Sequence, residues 1–406
     1  MQDNTADVVA VIGTGLMGRG IAAVAARAGH PVVIHDSVTP ALDDALAHVK
    51  TYAGPQANVR VASTLDDAVV GATLVVECVV EDLAIKQVMF MRMGEVAPDA
   101  VLMSNSSSLP ISDVAGRTSR PERTVGAHWF NPPQLIPMVE VIRGRHTSEA
   151  TMARTADFLQ AIGKTTVRVD RDVPGFVGNR LQHALWREAM ALLSDGVVSA
   201  KQLDRTIAIT VGQRLRVCGP LEEIDRMGAA AALVEFRQIV PLINQAPEPA
   251  ALLKQKVANS ELGSKTGRGF LVWNAGDRVR AAAALNAHVE RCVSEGRRHG
   301  ELGPFAAGLD EPTQRIARRL RIALWREAVA LVSDGICDAA TVDLMACNTF
   351  GLRLEQMGPI ETADFVGLDL ALAVHARIFP SFVPSTDPPA LLVAMAREGT
   401  TFIKRR

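Results

Sequence analysis

His128 and Glu140 stand twelve residues apart in this chain, inside Gly126-Ala127-His128-Trp129-Phe130-Asn131-Pro132-Pro133 and Met138-Val139-Glu140. A polar Asn-Pro turn separates them. An imidazole titrates near neutrality, so it can take a proton from a hydroxyl and hand it back in the reverse direction. A carboxylate on the far ring nitrogen fixes the tautomer and stabilises the imidazolium. The pair follows Gly13-Thr14-Gly15-Leu16-Met17-Gly18, a glycine loop suited to a dinucleotide. A base, a group that orients it and a hydride carrier are the parts needed to oxidise an alcohol.

The elements that must position these residues are legible around them. Val8 to Ile12 is a short apolar, β-branched run that ends in the glycine loop. Ile21 to Ala28 reads as a small-residue helix stopped by Gly29, and Pro31 to His35 as a second strand ending on Asp36. Strand, glycine loop, helix, strand and acid make a complete βαβ unit. Gly13 permits the tight turn, Gly15 lets backbone approach a pyrophosphate, and Gly18 allows close helix packing with the amide dipole facing phosphate. Asp36, eighteen residues after Gly18, accepts from a ribose with a free 2′-hydroxyl and repels a 2′-phosphate, which favours NAD over NADP. Leu74 to Val80 and Ala100 to Ser104 read as buried strands, separated by a helix over Leu83 to Glu95. Glu81 and Ser104 to Ser108 then fall where open α/β sheets bind ligands.

These stretches together resemble the L-3-hydroxyacyl-CoA dehydrogenase family, from about residue 8 to residue 275. The matching blocks are the glycine loop, Val76-Glu77-Cys78-Val79-Val80-Glu81-Asp82, Ser104-Asn105-Ser106-Ser107-Ser108-Leu109 and the His128–Glu140 block. Pro174-Gly175-Phe176-Val177-Gly178-Asn179-Arg180-Leu181 and Lys265-Thr266-Gly267-Arg268-Gly269-Phe270 complete the set. The resemblance implies His128 as general base, Glu140 as its partner, and Ser107 and Asn179 as residues that place the substrate. It also implies that Glu81 and Lys86 border the nicotinamide ribose. The full expected cofactor set is Gly13, Gly15, Leu16, Met17, Gly18, Asp36, Glu81, Lys86, Ser104, Asn105 and Asn131, with NAD as cofactor and no metal. Each residue also has a plainer reading: an isolated histidine in a turn is usually structural, Asn179 can cap the helix that follows, and His183 suits packing.

Two features depart from acyl-CoA members of that family. Only some 37 residues separate Asp36 from the strand at Leu74, where such members carry a longer lysine-bearing helical hairpin that contacts CoA. Here Ala41 to Tyr52 supplies one short helix with one lysine, Lys50. The block after His128 also reads Asn131-Pro132-Pro133, as in relatives that look like dehydrogenases of free hydroxy acids, namely sugar acids, carnitine or hydroxymethyl-pyridine carboxylates. Thioester and free acid both stay open as substrates. Arg143, Arg145 and Arg180 are the basic residues expected at the cleft mouth of a CoA binder. Outside enzymes the alternative is a crystallin-like nucleotide-binding protein, against which the intact glycine loop and catalytic set weigh.

The C-terminal half carries an internal repeat. RLQHALWREAMALLSDG at 180–196 recurs as RLRIALWREAVALVSDG at 319–335, an offset of 139 that also relates Gly219-Pro220 to Gly358-Pro359 and Asp225 to Asp364. Asn179 corresponds to Arg318, and no Pro-Gly-Phe precedes the second copy, so that copy is expected to be structural. The expected architecture is an α/β Rossmann-type dinucleotide-binding domain at 1–172, followed by two all-α domains related by duplication. The first all-α copy spans 173–275, a linker helix and loop spans 276–310, and the second copy spans 311–406. The repeat predicts an internal pseudo-dimer of helical domains and a monomeric chain.

Composition bounds the rest. The 406 residues are 48% hydrophobic and 21% charged, ordinary for a globular protein with sizeable cores. A formal net charge of −1 gives no electrostatic reason to expect nucleic acid or an anionic membrane as partner. The polar, acidic start lacks the pattern of a secretory signal, and no apolar run reaches the roughly 20 residues of a membrane span. Five scattered cysteines without a CxxC pair argue against a disulfide framework and a zinc site. The expected location is cytoplasmic, and the expected partner is a small-molecule substrate.

Overall fold

The computed structural model describes residues 6–194, 311–349 and 358–360, with isolated positions between 197 and 287. It divides into two compact units, Met1–Phe176 and Val177–Arg406.

The first unit is built on one sheet in the order β3-β2-β1-β4-β5-β6-β7-β8. Its strands are β1 (Val9–Ile12), β2 (Val32–His35), β3 (Val59–Val61), β4 (Leu74–Glu77), β5 (Val101–Ser104), β6 (Thr124–Trp129), β7 (Met138–Ile142) and β8 (Thr165–Val169). All pairings are parallel except β6 with β7. Strand order reverses beside β1, which has β2 on one side and β4 on the other. The glycine loop leaves the carboxyl end of β1 at that switch point, where open α/β sheets take ligands.

Alternation along the buried strands sends side chains to two cores. Val9, Val11, Leu74, Val76, Val101 and Met103 pack with α1 (Leu16–Arg27), α2 (Thr39–Ala53) and α6 (Glu149–Ala161). Ala10, Ile12, Val75 and Leu102 face the opposite layer, with α3 (Leu65–Val69), α4 (Leu83–Val96) and α5 (Ile111–Val114). Each fully buried valine, leucine or isoleucine contributes about 1.5–3 kcal/mol relative to exposure, which fixes this register. The α2 helix is longer at both ends than the 41–52 read from sequence, because Pro40 starts it and Gly54, at φ 100°, ends it.

The same alternation places the chemistry-bearing strands. Val125, Ala127 and Trp129 of β6 and Val139 and Val141 of β7 point into the first core. His128 and Glu140 therefore share the other face. Glu140 is in mid-strand between β6 and β8 and is fully buried.

In the second unit, α7 (Gly178–Ser194) packs against α8 (Glu311–Ser333), and α9 (Ala339–Thr349) follows. Leu185, Trp186, Ala189 and Met190 join Ile316 and Leu320 in one apolar cluster. Arg180 Nε donates to Glu327 Oε1 at 2.6 Å, both side chains buried, and Arg319 pairs with Glu188. Asp204 accepts from the amide of Leu221 at 3.1 Å, and Asp343 from the amide of Ile360 at 2.7 Å. The α8 helix starts at Glu311 with Pro312 in its first turn, where a proline is tolerated because the amide has no helical acceptor. The expected connecting helix at 277–298 falls largely outside the described residues, as do Cys218 and Cys292.

Candidate active site

The glycine loop has the shape its residues require. Gly13 lies at φ 89°, and a Cβ there would stand 2.7 Å from the Cys78 carbonyl. A Cβ on Gly18 would run into the Gly13 carbonyl oxygen. At Gly15 the opposite holds: a Cβ would meet nothing within 4 Å, so the backbone faces open space. No side chain caps α1 at Gly15 and no acid sits in its first turn. Uncapped first-turn amides beside an open glycine fit the pyrophosphate of a dinucleotide. Leu16 is 56% exposed beside this opening, whereas Met17 packs against the core. Asp36, at the end of β2, accepts from Thr14 N at 2.7 Å, Thr14 Oγ1 at 3.1 Å and Val38 N at 3.0 Å. Burial is the largest influence on its carboxyl and would raise it, but these donors outweigh it and hold the pKa below the usual value. An ionised acid at that place repels a 2′-phosphate.

A second cluster joins β4, α4 and the serine loop after β5. Glu81 Oε1 accepts from Ser106 Oγ (2.5 Å), Ser107 N (3.0 Å), Ser108 N (2.9 Å), Ser108 Oγ (3.0 Å) and Leu109 N (3.3 Å). One carboxylate oxygen thus shapes the whole loop that carries Ser107. Lys86 is enclosed, with Nζ 2.6 Å from Glu77 Oε1 and 3.3 Å from Glu81 Oε2. Burial pulls its pKa down most strongly, yet the two carboxylates together overcome that and raise it, so the ammonium stays charged. Glu77, fully buried, also accepts from Ser104 Oγ at 2.8 Å; burial pushes its carboxyl up against the pull of Lys86. Asn105 Oδ1 accepts from Trp129 N at 3.0 Å, tying this loop to β6. The lone acid within the apolar run Leu74-Val75-Val76-Glu77-Cys78-Val79-Val80 was the available signal for Glu77, and sequence reasoning passed over it.

His128 and Glu140 are direct cross-strand partners in the β6–β7 ladder. His128 Nδ1 lies 2.5 Å from Glu140 Oε2, with both residues buried. The spacing of twelve follows from this: an antiparallel pair closed by the turn carrying Asn131 brings the two positions face to face. With Nδ1 engaged, Nε2 is the ring's other proton-accepting position. The ring packs against Phe130 and Phe176, with centroids 4.7 Å and 5.7 Å away. The turn itself is gripped from three sides: Pro133 meets Gly20 of α1, Gln134 meets His48 and Tyr52 of α2, and Lys164 Nζ donates to the carbonyls of Pro133 and Ile136.

In the helical unit Asn179 is the second residue of α7, inside the helix and not its cap. Its carbonyl receives His183 Nδ1 at 2.8 Å, and His183 packs on Trp186 with centroids 5.1 Å apart. Burial pushes the His183 pKa down to about 4. Of the three arginines expected at a cleft mouth, Arg180 is buried in its pair with Glu327, Arg143 pairs with Glu149, and Arg145 is exposed. Among the described residues no group of histidine, cysteine, aspartate and glutamate has the arrangement of a metal site, and no helix is long and apolar enough to cross a membrane.

A parallel sheet with a dinucleotide loop at its switch point and a buried histidine–carboxylate pair defines an NAD-dependent dehydrogenase. Comparison with known proteins narrows the class. The profile of the 3-hydroxyacyl-CoA dehydrogenase NAD binding domain matches residues 8–173, and that of the C-terminal domain matches residues 175–273 and 316–402. The chain is 34% identical over 310 residues to 5-formyl-3-hydroxy-2-methylpyridine 4-carboxylate 5-dehydrogenase of Mesorhizobium japonicum, covering 71% of this chain and 98% of that one. It is 34% identical to human mitochondrial hydroxyacyl-coenzyme A dehydrogenase, covering 64% of this chain and 90% of that one. A 3-hydroxybutyryl-CoA dehydrogenase structure from Escherichia coli shares the fold over 97% of this chain and 99% of that one, with a TM-score of 0.77 at 20% identity. The chain belongs to the 3-hydroxyacyl-CoA dehydrogenase family and is an NAD-dependent oxidoreductase acting on CH–OH groups.

Proposed function

We propose that the substrate is a 3-hydroxyacyl thioester, oxidised at its 3-hydroxyl, and that His128 Nε2 takes the hydroxyl proton. The observation that carries this reading is the 2.5 Å contact between His128 Nδ1 and Glu140 Oε2 in a buried setting. Glu140 holds the ring in the tautomer with Nε2 free of hydrogen, and its charge balances the imidazolium that forms. Ser107 and Asn179 hydrogen-bond the oxygen as it becomes a carbonyl, typically a few kcal/mol per donor. Bound NAD supplies the hydride acceptor. The residues that would hold it are Gly13, Gly15, Leu16, Gly18 and Asp36, with Glu81, Asn105 and Asn131 lining the nicotinamide side; the Ser104 hydroxyl is enclosed against Glu77 and acts from behind them. Met17 offers only its backbone, because its side chain packs into the core. Lys86 acts through Glu81, since its ammonium is enclosed between two carboxylates.

A second reading, a hydroxymethyl or formyl aromatic acid, is favoured by two observations. The Mesorhizobium relative, matched over 98% of its length, is a pyridine carboxylate dehydrogenase by name. The α2 helix also brings one exposed lysine, Lys50, and no hairpin. NADH formation at pH 9 from L-3-hydroxybutyryl-CoA, from free L-3-hydroxy acids and from a 5-hydroxymethyl or 5-formyl pyridine carboxylate separates the readings, with His128→Ala as control. Turnover of the thioester, lost in the variant, supports the first. Turnover of the pyridine acid alone replaces it with the second.

We also infer that the helical unit is a duplication forming an internal pseudo-dimer. Arg180 and Arg319 are related by the repeat offset, as are Glu188 and Glu327, so the two ion pairs are one contact made twice in reciprocal sense. The Asp204–Leu221 and Asp343–Ile360 hydrogen bonds repeat at the same offset. One C-terminal domain profile also matches two segments. Reciprocal contacts are the mark of a two-fold interface. With both halves on one chain, the expected species is a monomer, with domains at 1–172, 173–275 and 311–406 joined by 276–310. Sedimentation showing a dimer held through the helical domains would refute this. A thiol at Cys78 suits a cytoplasmic setting.

A further inference from the structure

Among the described residues, the cation beneath the turn between His128 and Glu140 has no carboxylate partner, unlike Lys86. Lys164 follows α6 through a left-handed glycine: Gly163 lies at φ 85°, and the amide of Lys164 donates to Leu159 O at 2.9 Å. This helix-ending turn aims the Lys164 side chain back under β6 and β7. Its Nζ donates to Pro133 O at 2.6 Å and Ile136 O at 2.9 Å, and stands 5.0 Å from the centre of the Trp129 ring. Only 7% of the residue is exposed. The next amide, Thr165 N, donates to Pro137 O at 2.8 Å. Three carbonyls of the segment that joins His128 to Glu140 are thus tied to two consecutive residues of one strand start.

We propose that Lys164 is a positioning residue of this dehydrogenase, whose ammonium clasps the 131–137 turn and so sets the placement of Asn131 and of the His128–Glu140 pair. The inference rests on that pair being the reacting centre. A neutral amine has two hydrogens and a lone pair, so it can still donate, but its donors lose the charge that strengthens both contacts. The groups facing Nζ are the two carbonyls and the indole; burial alone accounts for its lowered pKa of about 8, with no charged group contributing. The clasp therefore weakens within a working pH range, whereas the Lys86 ammonium does not.

The test needs no substrate for its first arm. Histidine-ring-labelled enzyme is titrated by NMR from pH 6 to pH 10, with the His128 signal assigned by its loss in His128→Gln. The wild type should show a His128 shift change centred near pH 8. Lys164→Arg, which keeps its charge throughout, should lack it. NAD-linked turnover should lose a falling limb at the same pH in Lys164→Arg, and Lys164→Met should turn over roughly hundredfold more slowly at pH 7, chiefly in kcat. Absence of the pH 8 inflection at His128 in the wild type overturns the proposal whether or not any substrate is found. Retention of that inflection in Lys164→Arg overturns it as well. Wild-type kcat in Lys164→Met with an unchanged pH profile shows that the clasp does not serve the chemistry. If Lys164→Met does not fold, the wild-type and Lys164→Arg arms decide alone.

Discussion

Two buried carboxylates a few strands apart in the same sheet are paired with bases of different kinds. Glu77, at the end of β4, holds a permanently charged ammonium, and both sit inside a cage completed by Glu81 and Ser104. Glu140, in the middle of β7, holds an imidazole through its Nδ1. The first arrangement holds an ammonium between two carboxylates; the second sets an imidazole against one. Partner type decides the difference, since both carboxylates are fully excluded from water.

The comparison breaks most visibly at the imidazole. His128→Ala is expected to lower kcat/KM by about 10³–10⁴-fold, the upper range for a general base. Glu140→Gln should keep the ring hydrogen-bonded but lose the charge opposite the imidazolium, lowering kcat roughly a hundredfold. Lys86→Met is expected to show in stability, costing about 3–5 kcal/mol of unfolding free energy by leaving Glu77 buried beside an apolar group. The double variant Glu77→Gln/Lys86→Met should recover most of that in denaturant unfolding, because no charge is then stranded. A Lys86→Met protein as stable as wild type would remove the distinction between the two sites.

The helical unit sharpens the contrast with a third buried carboxyl. Burial pushes Glu327 up to about 7 despite Arg180, so its contribution is full below its unfolded pKa and fades as pH rises through 7. His183 runs the other way: with a pKa near 4, it contributes fully above its unfolded pKa near 6.5 and fades as pH falls through 4. Between pH 4.5 and pH 6.5 the slopes oppose each other. Unfolding midpoints by circular dichroism should therefore fall with pH in His183→Phe and rise in Glu327→Gln, each more steeply than in the wild type.

The features most open to reading from sequence were those that local rules control. The βαβ unit, the strands at 74 and 101, the helix from Leu83 and the His128–Glu140 spacing all follow from apolar runs, glycines and register, which act over a few residues. What escaped lies in contacts between distant segments. Glu77 reads as one polar residue in an apolar run until Lys86 and Ser104 fold around it. Lys164 looks like a surface lysine after a helix until the turn at 131–137 is laid over it. Arg180 reads as a cleft arginine until α8 supplies Glu327. In each case the partner that changes the meaning of the residue is on another element, where periodicity carries no information.

The cross-strand register of His128 and Glu140 also bears on the order in which the protein takes shape during synthesis. Closing a loop of about a dozen residues costs little entropy, and a hairpin of that size forms in roughly 1–10 μs. The His128–Glu140 pair can therefore meet once β6, the turn and β7 have left the ribosome, before α8 has been made. Lys164 follows some two dozen residues later and locks the turn from below. Nascent chains in which β8 has cleared the ribosome should already hold the imidazole and the carboxylate in register.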